Sequence, residues 1–211
     1  MRAVVVSHGM IKEFESAREI MKSGDIVICA DGGAEYAIRC GITPDVLIGD
    51  FDSIDSEILN KIKNLNCKII KYPKEKDYTD TELAVNYAVD GGYKSITILG
   101  GIGERLDHTL ANIFLLLKLA GANIEAKIIN EKNVIYVIND KTEICGDIGD
   151  TLSLIPVGGD VSGIYTEGLK YKLSGRTIAM GSPIGVSNVF TSEKAKVKIE
   201  SGYLLIIKSK D

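Results

Sequence analysis

Short apolar runs alternate with helix-length segments through the first two-thirds of the chain, and this rhythm constrains the fold more than any other feature. Strands are predicted at residues 3–7, 26–30, 46–48, 68–71, 95–99 and 125–129. Helices are predicted between them at 12–22, 34–40, 56–64, 79–89 and 106–119. Strands that take turns with helices build a mainly parallel sheet with helices on both faces, a Rossmann-like arrangement. Helix starts are marked locally. Asp55 precedes Ser56-Glu57, and Thr79 with Glu82 forms a capping box.

After about Ile138 no helical period continues. Short β-rich runs at 151–157, 161–166, 177–180, 186–190, 195–199 and 203–208 are separated by glycine-containing turns. Regular short strands of this kind predict an all-β sandwich or barrel. The expected division is an α/β catalytic domain over residues 1–140 and a β-domain over 141–211.

The 211 residues are 45 % apolar and 26 % charged, enough for a sizeable core. The net charge of −4 and the lack of a dense basic cluster argue against nucleic acid as partner. Cys29, Cys40, Cys67 and Cys145 are widely spaced, which argues against a zinc knuckle or disulfide framework and fits a reducing, cytoplasmic setting. Met1 leads straight into a strand-like run, without the features of a signal peptide. The most apolar stretch, residues 110–119, is too short to span a bilayer.

Acidic residues gather at strand ends. Gly49-Asp50-Phe51-Asp52-Ser53 follows one predicted strand, and Lys76-Asp77-Tyr78-Thr79-Asp80 follows the next. Two carboxylates about 4 Å apart repel by roughly 4 kcal/mol at an effective dielectric near 20. A chain that collects them generally needs them for a cation, and Mg2+ prefers carboxylate oxygens together with substrate phosphates. If residues 50–52 are extended, Asp50 and Asp52 share one face and Phe51 takes the other. A solvated acidic turn is the plainer reading of this segment, and a charged helix start is the plainer reading of residues 74–80.

Two further strand ends carry glycines. Asp31-Gly32-Gly33 follows the strand at 26–30, where a tight turn with a capping Asp is the plainer reading. Gly100-Gly101-Ile102-Gly103-Glu104-Arg105-Leu106-Asp107-His108 follows the strand at 95–99. A glycine-rich turn feeding a helix suits phosphate, and Arg binds phosphate bidentately. The loop is neither a Walker A motif nor G-x-G-x-x-G. All four motifs lie at carboxyl ends of predicted strands, where open α/β sheets bind ligands. In the β-rich part, Tyr171 is suited to stacking on a flat ring, and Ser187 and Asn188 to hydrogen bonding.

The order of these motifs, with Gly168-Leu-Lys-Tyr171 and Gly185-Val-Ser-Asn188 after them, resembles that of the thiamine pyrophosphokinases over nearly the whole chain. The resemblance implies diphosphate transfer from ATP to thiamine, giving thiamine diphosphate and AMP, with Mg2+ as cofactor. It also implies a homodimer with active sites between subunits. By matching position, Asp50, Asp52 and Asp80 would form the metal and catalytic group, with Arg105 and Asp107 as further catalytic residues. Asp31, Gly32, Gly33, Lys76, Asp77, Gly100, Gly101, Gly103 and His108 would line the ATP site. Tyr171, Ser187 and Asn188 would bind thiamine. Many family members carry Trp at the position of Tyr171, whereas this chain has no Trp. On the residues alone, a Mg2+-dependent phosphatase with Asp50 as nucleophile, another Mg2+-dependent phosphate-transfer enzyme, or a non-catalytic nucleotide sensor are the competing readings.

Overall fold

A computed structural model describes residues 1–210. The chain divides into two compact units, one of Met1–Leu115 with Asn123–Glu131, the other of Leu116–Ala122 with the residues from Lys132 onward.

The first unit follows the predicted alternation closely. Its elements are β1 (Arg2–Val6), α1 (Phe14–Lys22), β2 (Ile26–Ala30), α2 (Gly33–Arg39), β3 (Val46–Gly49), α3 (Ser56–Lys63), β4 (Lys68–Lys71), α4 (Asp80–Asp90), β5 (Ser95–Leu99), the start of α5 (Leu106–Gly121) and β6 (Glu125–Ile129). The strands are parallel in the order β6-β5-β1-β2-β3-β4. The chain winds outward from β1 to β4, then returns to lay β5 on the other side of β1. That reversal leaves a crevice beyond the carboxyl ends of the strands, the usual place for a ligand.

Period-2 alternation sorts the strand residues onto two helical layers. Val4, Val6, Val27, Cys29 and Leu47 share a core with Ala17 and Met21 of α1, Ala34 and Ala37 of α2, and Ile62 of α3. The intervening Val5, Ile28 and Ile48 are equally buried and face the opposite way. On that side α4 packs across β1, β2 and β3. Both anticipated caps form. Asp55 accepts from Glu57 N and Ile58 N, and Thr79 accepts from Glu82 N.

The second unit contains two four-stranded antiparallel sheets. One is β12 (Asn188–Val189), β9 (Thr151–Pro156), β14 (Leu204–Ser209) and β7 (Asn133–Ile138), in that order; the other is β11 (Arg176–Ile178), β10 (Val161–Glu167), β13 (Lys194–Lys198) and β8 (Lys141–Cys145). A single core takes Leu152, Leu154 and Leu204 from the first and Ile144, Ile164 and Val197 from the second, as in a sandwich. Two strands, β7 and β8, have no counterpart in the sequence reading. In β8 only Ile144 is buried, so its pattern of Lys141, Thr142 and Glu143 looks like a polar loop. Asn139-Asp140 carries the chain from one sheet to the other between them. Among the described residues no helix is long and apolar enough to cross a membrane.

Candidate active site

Asp31, at the carboxyl end of β2, is the centre of the acidic cluster. Its N–H donates to Ile48 O at 2.8 Å, as though β2 continued beside β3. Its φ of 45° then turns the chain into α2. Asp tolerates this left-handed conformation better than most residues. Asp31 caps nothing: the cap position of α2 is Gly32, with no side-chain hydrogen bond. Asp31 is 7 % exposed, and its Oδ1 has no hydrogen-bond partner among the described residues.

Asp50 and Asp52 reach Asp31 by a route other than extended alternation. Phe51 has φ 69°, so residues 50–52 form a kink. The Phe51 ring packs against the core beneath β3, and the two carboxylates are thrown toward Asp31. Asp52 N closes the turn on Asp50 Oδ1 at 3.1 Å. One carboxylate oxygen from each of Asp31, Asp50 and Asp52 lies within 4.8 Å of the others.

Asp80 stands outside this trio. It opens α4, and Lys76 Nζ lies 2.9 Å from its Oδ1, an ion pair off hydrogen-bonding alignment. The same ammonium is 3.5 Å from Asp50 Oδ2. Burial raises the Asp80 pKa above the ordinary carboxylate range, with Lys76 pulling the other way and Asp31 and Asp50 adding to the rise. Burial alone would lower the Lys76 ammonium, but Asp80 and Asp50 outweigh it and hold the pKa high. Asp52 is different. The Lys74 ammonium, 2.5 Å from its Oδ2 at the surface, holds its pKa low.

A cavity of about 590 Å³ opens beside these groups, lined by Asp31 and Asp80 as well as by Gly100, Gly101, Gly103, Arg105 and His108. The glycine loop is fastened to the loop after β1. Ser7 N donates to Leu99 O at 2.8 Å, Gly9 N to Gly100 O at 2.8 Å and Met10 N to Ile102 O at 2.9 Å. Only glycine serves at position 100, where φ is 63° and a Cβ would stand 2.2 Å from Ser7 O. From α5, buried Asn112 donates to Gly101 O at 2.8 Å, and Thr109 Oγ1 accepts from Gly103 N at 3.2 Å.

Other expected residues stand apart from the cavity wall. Gly33 is a packing residue: a Cβ there would lie 2.1 Å from Val6 O. Asp77 is exposed. Asp107 grips Arg105 in an exposed two-point pair, Nη2 to Oδ2 at 2.7 Å and Nε to Oδ1 at 3.3 Å. In the second unit, Tyr171 is 59 % exposed, with Lys170 Nζ 5.5 Å from its ring centre. Asn188 is buried and occupied with main chain: Oδ1 accepts from Tyr171 N and Val189 N at 2.9 Å each, and Nδ2 donates to Tyr171 O at 2.7 Å. It positions Tyr171. Exposed Ser187, at φ 57°, donates its N–H to Ser153 Oγ.

Several cavity residues carry no sequence signal of their own. Tyr36, Ser7 and Thr81 line the wall, and the Ser7 and Thr81 hydroxyls lie 2.8 Å apart. The Asn112 and Thr109 contacts also escape a local reading. Their spacing of three on α5, with Asn112 buried within the apolar run of residues 110–117, is the one trace a sequence reading offers.

Known proteins share this architecture. Residues 17–128 match the model of the thiamin pyrophosphokinase catalytic domain, and residues 135–204 that of the thiamin pyrophosphokinase vitamin B1 binding domain. A thiamine pyrophosphokinase of Bacillus subtilis is 32 % identical over 186 residues, covering 87 % of both chains. Thiamine pyrophosphokinase 1 of Oryza sativa subsp. japonica is 27 % identical over 97 % of this chain and 86 % of its own. The crystal structure of thiamine pyrophosphokinase from Bacillus subtilis superposes with a TM-score of 0.90 at 28 % identity, covering both chains completely. That from Geobacillus thermodenitrificans gives 0.86 at 28 % identity, with 100 % and 98 % coverage. With both halves of the chain matched in order and the solved folds superposing end to end, the chain belongs to the thiamin pyrophosphokinase family.

Proposed function

We propose that this protein transfers the diphosphate of ATP to the primary hydroxyl of thiamine, releasing AMP. The observation that carries the reading is the cavity of about 590 Å³ at the reversal of the parallel sheet, lined by Asp31 and Asp80 together with the glycine loop and Arg105. Glycine-loop backbone and the α5 N-terminus suit the triphosphate. Arg105 takes its charge by a planar, two-point contact, as it takes Asp107 here.

The acid trio fits Mg2+. It offers hard oxygen donors within 4.8 Å of one another, and the orphaned Asp31 Oδ1 is a buried acceptor awaiting a cation. Asp31, Asp50 and Asp52 are the residues to hold it, and Asp80, outside the trio and beside Lys76, is the residue for proton chemistry. Bound Mg2+ supplies neutralisation of the triphosphate charge. The thiamine hydroxyl oxygen attacks the β-phosphorus, and the bond from that phosphorus to the α–β bridging oxygen breaks. AMP leaves with that oxygen. Asp80 accepts the hydroxyl proton, and its pKa, raised by burial, makes it a better acceptor than an ordinary carboxylate. Tyr171 supplies a face for a thiamine ring, held by Asn188 beneath it.

The working form in this reading is a cytoplasmic homodimer. Leu106, Leu110 and Phe114 form an exposed apolar stripe on α5 that supports pairing, and the absence of any disulfide among the cysteines suits a reducing compartment. Purified protein incubated with ATP, Mg2+ and thiamine should give AMP and thiamine diphosphate in equal amounts. ADP in place of AMP overturns diphosphate transfer, and tight ATP binding without turnover favours a sensor.

A further inference from the structure

The acid cluster has a cation of its own beside it. The Lys76 side chain is 11 % exposed, whereas Lys74, on the outer acid Asp52, is 78 % exposed. The Lys76 ammonium stands between two carboxylates, 2.9 Å from Asp80 Oδ1 and 3.5 Å from Asp50 Oδ2. It thus occupies the negative potential of the cradle from the side of Asp50, while the third acid, Asp31, keeps an unpaired buried oxygen. A divalent cation entering on Asp50 meets this positive charge at close range. Burial limits its screening by salt. A lysine carries its charge on a flexible stem, so it can change partners once a polyphosphate anion offers more negative charge than Asp50 does.

We propose that Lys76 is an internal counter-ion that holds the empty acid cradle together and weakens its hold on free divalent metal, so that metal and nucleotide enter together. This inference rests on the metal and nucleotide reading above. It makes Lys76 a positioning residue, exchanging Asp50 for the incoming phosphates, and it assigns Lys74 no such part.

The test is Mg2+ binding without substrate turnover. Titration calorimetry and the Mg2+-dependent rise in Tm are compared for the wild type, Lys76→Gln and Lys76→Arg, with and without a non-hydrolysable ATP analogue. The wild type should bind Mg2+ more tightly when the analogue is present. Lys76→Gln should melt lower in chelator, yet bind free Mg2+ about tenfold more tightly, the scale on which one adjacent charge alters a carboxylate's affinity for a cation such as the proton. Its gain from the analogue should shrink. Lys76→Arg should keep the wild-type affinity for free metal. A Lys76→Gln affinity that is unchanged or weaker overturns the proposal, as does Lys76→Arg binding free metal as tightly as Lys76→Gln. Should Lys76→Gln fail to fold, lack of any Mg2+–nucleotide coupling in the wild type overturns it alone. If no protein binds Mg2+ under any condition, the metal reading falls too, whereas equal binding by all three sinks only the role of Lys76.

Discussion

Replacing Asp31 with Asn should make the metal-free protein more stable while removing its stabilisation by Mg2+. Asp31 is 7 % exposed, carries an oxygen without a partner, and has a carboxylate oxygen within 4.8 Å of one on Asp50. At that separation two unit charges repel by about 3.5 kcal/mol at an effective dielectric near 20. The Lys76 ammonium, held beside Asp50, also attracts Asp31 and offsets part of this. The residual cost to the metal-free fold is then about 1–2 kcal/mol. Asn has the same shape, accepts a left-handed φ readily and bears no charge. One kcal/mol moves the Tm of a chain this size by roughly 2–4 °C, so the variant should melt about 2–8 °C higher in chelator. The assay is scanning calorimetry in EDTA and again in excess Mg2+. The wild type should gain stability from Mg2+ by mass action, and Asp31→Asn should gain little. Turnover should fall by about 100-fold or more, as for loss of a principal electrostatic group. A variant that melts lower than the wild type in chelator, yet keeps its response to Mg2+, would show that Asp31 holds the turn after β2 and not a cation.

Two other substitutions probe the phosphate grip and the second unit. Arg105→Lys keeps a positive charge but loses the planar fork seen on Asp107, so kcat/KM for ATP should drop about 100-fold with Tm unchanged, because the side chain is exposed; an unaltered kcat/KM would remove Arg105 from phosphate binding. Asp150 pairs with Lys208 at 3.2 Å, both side chains largely buried, and although burial pushes its pKa up, the Asp147 N–H and Lys208 hold it below the ordinary range. A depressed folded pKa gives stability that is present at neutral pH and lost as pH falls through that value. Below about pH 4 the wild type should therefore lose Tm more steeply than Asp150→Asn, which starts about 1–3 kcal/mol less stable at pH 7; parallel Tm–pH curves would refute this.

The sheet was legible because its evidence is local. Strand periodicity, the caps at Asp55 and Thr79 and the glycines after strands each act within a few residues, and β2, β4, β5 and β6 begin and end where the sequence predicts. The acid site was legible as a set of residues but not as a geometry. Asp31 meets Asp50 only because β2 lies beside β3, a pairing between segments that no local pattern encodes. The strand β8 was lost for the opposite reason, since an edge strand with one buried residue, Ile144, has too little apolar content to declare itself.

Asp31 and Phe51 explain why the site's geometry in particular escapes a sequence reading. Both have positive φ, 45° and 69°, in a protein where most such positions are glycine. Local rules assign that conformation chiefly to glycine and only occasionally to Asn or Asp, so Asp31-Gly-Gly suggests a turn without fixing its geometry and Phe51 announces none. Each is held against its preference by contacts formed elsewhere: Asp31 by its N–H on Ile48 O, Phe51 by a ring packed into the core. Glycine at either place would relax the backbone but remove a carboxylate from the cradle or the wedge that aims two others. Backbone strain of this kind persists only where the surrounding structure over-determines it, and it concentrates at functional sites. Here it is what turns two acids that an extended strand would align along one face into a cluster closing on a third.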